Sequence, residues 1–279
     1  VTTPVPTDPV SSSARVDVAL VNRGLVRSRA QAREQIDAGN VTIDGDIVRK
    51  PSVRVSAEQV IAVTGERDPW VGRAAYKLLA ALEAFGPRGL DVAGARCVDV
   101  GASTGGFTQV LLHCGAAHVV ALDVGRDQLA REIASDPRVQ EISGTSVRGV
   151  TSAQVAPGDV VVADLSFISL SLVMADIAAL TRPSGHVVVL VKPQFEVGRE
   201  ALARDGVVRS GELRARAVEG VLTAARTSDL SPHGLLVSPV VGGTGNQEYL
   251  LWLRFGEAGM MTAMDLTQQL AQISGRSGR

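Results

Sequence analysis

Asp99-Val100-Gly101-Ala102-Ser103-Thr104-Gly105-Gly106-Phe107 ends a short apolar run, residues 96–100, and leads into a helical pattern from Thr108. A strand that closes on glycines and opens a helix is the first half of a β-α-β unit. In a parallel sheet, ligands bind beyond the carboxyl ends of the strands. Glycine lets the backbone come close to a ligand there. A dinucleotide fingerprint would read Gly-x-Gly-x-x-Gly, its second glycine admitting the pyrophosphate. Ser103 occupies that slot, which weakens the case for NAD without removing it. S-adenosylmethionine carries no phosphate and needs a glycine-lined slot for its amino-acid end instead. Asp123 closes the next apolar run, at about the spacing where an acid meets ribose hydroxyls, and a carboxylate can accept from both hydroxyls. Glycine turn and strand-end acid together point to a nucleoside cofactor.

Working outward, strand-like runs fall at residues 96–100, 118–123, 139–142, 159–163, 186–191, 235–237 and 249–255. Helical patterns separate most of them, at 76–85, 108–113, 128–134, 170–180 and 212–226. Continuous runs such as Val160-Val161-Val162 and Val187-Val188-Val189-Leu190-Val191 belong to strands covered on both faces. The alternation predicts an α/β fold with a doubly wound, mostly parallel sheet.

Upstream the composition changes. Residues 15–54 hold eight Lys or Arg against five Asp or Glu, within a chain of net charge −1. Any grip on nucleic acid must therefore rest on local charge. Val16, Leu20 and Val21 recur at helical spacing, with Gly24 at the helix end. Ser28-Arg29-Ala30-Gln31 reads as a capping box for a second short helix, closed by Gly39. Residues 41–43 and 47–48 flank Asp44-Gly45-Asp46, a hairpin signal, and residues 60–63 add a strand. Residues 14–64 are thus expected to form a small α+β unit, residues 65–71 a linker in which Trp70 could pin the two units, and residues 72–273 the larger domain. Residues 1–13 and 274–279 read as a disordered leader and tail. Cys97 and Cys114 cannot form a disulfide framework or a four-ligand zinc site, and no metal is expected. No apolar run approaches the roughly 18–20 residues that span a bilayer, and residues 1–13 lack the features of a signal peptide. A cytoplasmic protein with no membrane partner is the expectation.

The residues also carry a likeness. Arg15-Val16-Asp17, residues 20–25, Ser28-Arg29, Ile36, Gly39 and residues 41–45 resemble an S4 RNA-binding domain. Residues 101–108, 163–168, 191–198 and 245–249 are similar to an FtsJ-like methyltransferase. In that order and combination they resemble the TlyA family, over nearly everything from Arg15 to about Phe255. The resemblance implies a Rossmann-like methyltransferase domain behind an S4 domain. It further implies S-adenosyl-L-methionine-dependent 2′-O-methylation of cytidines in ribosomal RNA, of the small subunit and in some members also the large. The family's catalytic Lys-Asp-Lys-Glu set lands on Lys77, Asp164, Lys192 and Glu248. Cofactor contacts are expected from Asp99, residues 101–107 (Gly101, Ala102, Ser103, Thr104, Gly105, Gly106, Phe107), Asp123 and Thr145. Thr145 stands where many methyltransferases carry an acid near the adenine. RNA contacts are expected from Arg15, Arg23, Arg27, Arg29 and Arg33, through ribosomal RNA or ribosomal subunits. The linker spaces Arg67 and Trp70 differently from the mycobacterial members.

Position supports the set independently. Asp164 and Lys192 each follow a strand, on the edge that holds the glycine turn. Pro193 confines Lys192 to extended backbone. Glu248 precedes its strand, so it reaches the same edge only if that strand runs antiparallel. Lys77 sits in the helix before the first strand. A ribose hydroxyl is a weak nucleophile, and a positioned base contributes roughly 10²–10⁴-fold. Lys192 is the expected base and the other three orient it. The low aromatic content speaks for recognition of folded RNA over single-strand stacking. Competing expectations are a pseudouridine synthase, which would not need the glycine slot, a membrane-active haemolysin, and a non-catalytic RNA-binding assembly factor.

Overall fold

The computed structural model describes residues 13–26, 29–64, 68–256 and 258–275. The chain divides into two compact units between Pro69 and Trp70. The leader up to residue 12, Arg27, Ser28, residues 65–67, Glu257 and residues 276–279 lie outside the described residues.

In the first unit, β1 (Ala14–Arg15) leads directly into α1 (Val16–Asn22), followed by α2 (Arg29–Asp37), β2 (Val41–Ile43), β3 (Asp46–Ile47), β4 (Arg54–Val55) and β5 (Ile61–Val63). The order β3-β2-β5 makes a three-stranded antiparallel sheet, and β1 pairs with β4. The hairpin turn is Asp44-Gly45, both at positive φ, while Asp46 already pairs with Ile43. That two-residue turn twists with its strands, which shortens the expected three-residue loop by one. Val16, Leu20, Ala32, Ile36, Val41 and Ile43 close a core beneath the two helices.

The second unit contains α3 (Ala74–Phe85), β6 (Arg96–Val100), α4 (Gly106–His113), β7 (His118–Leu122), α5 (Arg131–Ala134), β8 (Val139–Ile142) and β9 (Gly158–Ala163). It continues through α6 (Met174–Ala179), β10 (Thr181–Val191), α7 (Pro193–Glu196), α8 (Gly211–Arg226), β11 (Leu230–Val237), β12 (Tyr249–Phe255) and α9 (Ala263–Ser274). One seven-stranded sheet runs β11-β12-β10-β9-β6-β7-β8. Strands β6 to β10 are mutually parallel, and β12 is antiparallel to both neighbours. Strand alternation divides the core: Val98, Val161, Val187 and Val189 pack with α6 and α8, while Cys97, Val160, Val162 and Leu190 pack with α3 and α4. Burying both faces is what made these strands read as unbroken Val and Leu runs.

Several boundaries differ from expectation, among them the start of β10, at Thr181 where residue 186 was expected. The helix expected over 128–134 shrinks to α5 because residues 124–130 wrap the end of β7, with Asp127 at positive φ. The one expected over 170–180 is a single 3-10 turn, Leu170–Leu172, capped by the Ser169 hydroxyl, then α6. Strand β11 starts five residues early, its Pro232 and Gly234 absorbed by a register shift on an edge strand, where proline is tolerated. Trp70 and Val71, expected in the linker, pack within the second unit: the Trp70 ring meets His113 edge-on at 5.4 Å, and the Val71 N–H donates to Gln109 Oε1. Ser274, expected in the tail, ends α9, and Gly275 caps it at positive φ. Cys97 is buried and Cys114 half-buried. Among the described residues, no helix is long and apolar enough to cross a membrane.

Candidate active site

Sheet register brings the site together. Gly101 follows β6, Asp123 follows β7, Asp164 follows β9 and Lys192 follows β10, all at the carboxyl edge of parallel strands. Val191 pairs with Tyr249 across the antiparallel β10–β12 ladder. The residue after one and the residue before the other, Lys192 and Glu248, therefore become neighbours at that same edge. The condition placed on the last strand is met. From the helix side, α3 carries Lys77 to Glu248, with Nζ 2.5 Å from Oε2.

The four charges form two ion pairs in nearly buried surroundings. Lys77 and Lys192 are each 8% exposed and Glu248 2%. Lys192 Nζ lies 2.6 Å from Asp164 Oδ1, off the line of a hydrogen bond, and donates to Ser166 Oγ at 2.8 Å. Lys77, Asp164 and Lys192 line a cavity of about 280 Å³ with Gly101 to Thr104, Gly106 and Phe107. A second cavity of about 320 Å³, shared at Gly101, Ser103 and Asp164, holds Asp123, Gln128 and Thr145. A third, about 620 Å³, opens on the far side of Lys192 and takes in Glu248, Phe167 and Phe195.

The glycine turn owes its sequence to more than ligand clearance. Gly101 has φ +84°, and a Cβ there would fall 2.7 Å from the Asp164 carbonyl oxygen. Any larger residue would push the ends of β6 and β9 apart. Ser103, in the slot where the dinucleotide fingerprint wants glycine, adopts φ +48°, a conformation that costs an L-residue roughly 1–2 kcal/mol. Its N–H donates to Asp123 Oδ2 at 2.7 Å, and Gly125 N–H donates to Oδ1 at 2.7 Å. Asp123 is thereby fixed with lone pairs left for a ligand. Two expected contacts stand apart: Gly105, at φ +93°, lines none of the three cavities and faces Leu129 and Ile133, and Asp99 is the other. It is fully buried behind the turn, accepts the Thr108 hydroxyl at 2.7 Å, and lines none of the three cavities. Burial pushes its carboxyl up to about 7.

Sequence reasoning missed Ser166, Phe167, Phe195 and Glu196. Phe167 is 92% exposed at φ +65°, and its ring lies 5.4 Å from that of Phe195. Three of the five phenylalanines, Phe107, Phe167 and Phe195, line these cavities, a placement that overall aromatic content does not reveal. Among the described residues, no group of three or more His, Cys, Asp or Glu side chains is placed to hold a metal ion.

In the first unit the expected RNA-contacting arginines divide. Arg15 and Arg29 both donate to Asp17, whose side chain is fully covered. Arg23 donates to the carbonyls of Gln59, Ser56 and Ala57. Arg33 is exposed, and Arg27 lies outside the described residues. Arg49 and Lys50 are further exposed cations of this unit. Hydrogen bonding by Arg15 above all holds the Asp17 carboxyl down at about 2, against an ordinary 3.8. A depressed carboxyl contributes stability that is full above pH 4 and fades as pH falls towards 2. Among the described residues, two partly exposed guanidiniums pair with this carboxylate, so solvent screening reduces the contribution to about 1 kcal/mol. Asp17→Asn is expected to lower the stability of this unit by that amount at pH 7 and by almost nothing at pH 2. Urea unfolding of the full chain, read from the methyl signals of Ile36, Ile43 and Ile61, checks it. An equal loss at both pH values would show that the carboxylate charge is not what matters.

Comparison with known proteins agrees with this architecture. Residues 70–255 match the model of the FtsJ-like methyltransferase family, and residues 14–61 that of the S4 domain. The chain is 51% identical over 245 residues to the 16S/23S rRNA (cytidine-2′-O)-methyltransferase TlyA of Mycobacterium tuberculosis, covering 86% of this chain and 90% of that protein. It is 28% identical over 251 residues to the 23S rRNA (cytidine-2′-O)-methyltransferase TlyA of Campylobacter jejuni, covering 83% of this chain and 96% of that one. A solved structure from Streptococcus thermophilus, named as a proposed hemolysin, shares 33% identity with a TM-score of 0.74, over 96% of this chain and 98% of that one.

Proposed function

Because the chain belongs to the TlyA family of FtsJ-like methyltransferases with an N-terminal S4 domain, we propose that it methylates the ribose 2′-oxygen of cytidines in ribosomal RNA, using S-adenosylmethionine. The small subunit is a substrate, and the large subunit a second one, as in the name of the mycobacterial relative. A cytoplasmic site of action is the reading that work on ribosomal RNA supports. The observation that carries the proposal is the meeting of Lys77, Asp164, Lys192 and Glu248 beside the 101–107 turn.

The cleft fits the methyl donor. The turn at Gly101, Ser103 and Gly106 offers a narrow, backbone-lined slot for its amino-acid end. Asp123 faces the adjoining cavity with acceptors for ribose hydroxyls, and Thr145 and Val147 line the same cavity for the base. When bound, S-adenosylmethionine supplies an electrophilic methyl group. Lys192 Nζ, in its amine form, takes the proton of the substrate's 2′-hydroxyl as that oxygen gains the methyl. Asp164 keeps Lys192 at the cavity edge, and the Lys77–Glu248 pair forms the wall between the cofactor side and the large cavity. Phe167 and Phe195 present ring faces on which the target base can stack. In the S4 unit, Arg33, Arg49 and Lys50 are free to meet phosphates, a contact that weakens steeply with salt. The hemolysin name of the Streptococcus thermophilus protein has no counterpart among the groups of this cleft.

Incubating the protein with S-adenosylmethionine and isolated small subunits, large subunits or naked ribosomal RNA, then analysing nucleosides by mass spectrometry, tests the proposal. The expected product is 2′-O-methylcytidine. Methyl groups found only on bases, or on no RNA at all, would overturn it.

A further inference from the structure

Ser166 is the one residue that lines all three cavities. Its Oγ accepts from Lys192 Nζ at 2.8 Å, whereas Asp164 Oδ1, though 2.6 Å from Nζ, lies off the hydrogen-bond direction. An amine nitrogen is tetrahedral, so fixing where its N–H groups go fixes where its remaining valence points. A carboxylate that meets Nζ off line attracts the nitrogen without setting its rotation. A hydroxyl on the hydrogen-bond line sets it.

The loop carrying Ser166 is itself tied to the loop carrying Lys192. Glu196, four residues after Lys192, accepts the Ser169 hydroxyl at 2.6 Å and the Leu170 N–H at 2.8 Å. The two loops are thus joined at two points, Lys192–Ser166 and Glu196–Ser169. Between Ser166 and Ser169, Phe167 is held at positive φ, a strain of order 1–3 kcal/mol that persists only where the surroundings impose it. Two cross-links and a strained residue between them describe a loop built to keep Ser166 still.

We propose that Ser166 is a positioning residue for Lys192: its hydroxyl takes one N–H of Nζ and so sets the rotation about Cε–Nζ, leaving the second N–H on the Asp164 side and the lone pair towards the place where the cofactor cavity and the aromatic cavity meet. The proposal rests on Lys192 being the base. Misplacing a reacting group by about 1 Å can cost of order 10²-fold in rate. Ser166 is exposed, so its replacement spares the core.

The test is single-turnover methyl transfer to ribosomal subunits at saturating S-adenosylmethionine, with cofactor and RNA affinities measured separately. Ser166→Ala is expected to slow transfer about 10- to 100-fold while both affinities stay within about twofold of the parent protein. Ser166→Thr, which restores a hydroxyl, should recover most of the rate. A full rate in Ser166→Ala, a loss that appears as weaker binding, or a Ser166→Thr variant as slow as the alanine one would each overturn the role. A parent protein that binds the cofactor and methylates no RNA overturns the function proposed above, and this role with it.

Discussion

Lys192→Arg should lose methyl transfer about as completely as Lys192→Ala, by roughly 10²–10⁴-fold. Arginine keeps the positive charge and can still pair with Asp164, but its guanidinium is not deprotonated in proteins. If Lys192 served only as a cation beside the reacting atoms, arginine would retain much of the rate. If it takes the proton, both variants fail together. Neither should weaken cofactor binding by more than about threefold. The slot at Gly101 to Phe107 and the Asp123 carboxylate are held by backbone contacts that do not pass through Lys192. Calorimetric titration with S-adenosylmethionine and single-turnover transfer to subunits separate the two readouts. An arginine variant with more than a tenth of the parent rate would remove Lys192 as the base. The alanine variant also leaves Asp164, now without its cation, beside an open cavity, so a modest fall in melting temperature is expected there and not with arginine.

Much of this site could be read before any coordinates because it is a strand-end site. Residues that follow apolar runs must project from the sheet's carboxyl edge, so Gly101, Asp123, Asp164 and Lys192 were placed by chain pattern alone. Glu248 was conditional, since a strand's direction is not written in its own sequence. The β10–β12 register, with Val191 opposite Tyr249, supplied what was missing. Asp99 shows the reverse limit. Strand alternation turned it inward to Thr108, and proximity in sequence to the glycine turn did not make it a lining residue. The arginines of the first unit show another: a charge count cannot tell a phosphate-binding side chain from one consumed by a buried acid such as Asp17. Helix α9 was missed although Thr262 and Asp265 make a reciprocal capping box, a Thr-x-x-acid signal that was there to be used. Ser166 lies inside the 163–168 motif, but the motif gave it no role of its own. A serine in a loop acquires meaning only when a distant loop brings an amine to it.

The Lys77–Glu248 pair should prove costly to break and cheap to replace. Its side chains are 10% and 2% exposed, with Nζ 2.5 Å from Oε2. Gly242 packs so closely that a Cβ there would come 2.6 Å from Glu248 Oε1. Removing one partner strands a charge in a place that water barely reaches, which destabilises by about 3–5 kcal/mol. Lys77→Met should approach that figure, leaving the carboxylate uncompensated. Glu248→Gln should cost somewhat less, since an amide oxygen can still accept from Lys77. Replacing both at once by apolar side chains, Lys77→Met with Glu248→Leu, removes both desolvation penalties, and buried ion pairs replaced by well-packed hydrophobic residues of similar volume are often no less stable. The double variant should therefore unfold within about 1 kcal/mol of the parent protein, a coupling that a double-mutant cycle in urea would measure directly. Activity should not return with stability. If the pair is the polar wall between the cofactor slot and the base-sized cavity, the stable double variant stays at least roughly 100-fold slower in methyl transfer. A double variant that is both stable and fully active would reduce the pair to a structural strut and leave Lys192 and Asp164 to carry the chemistry without it.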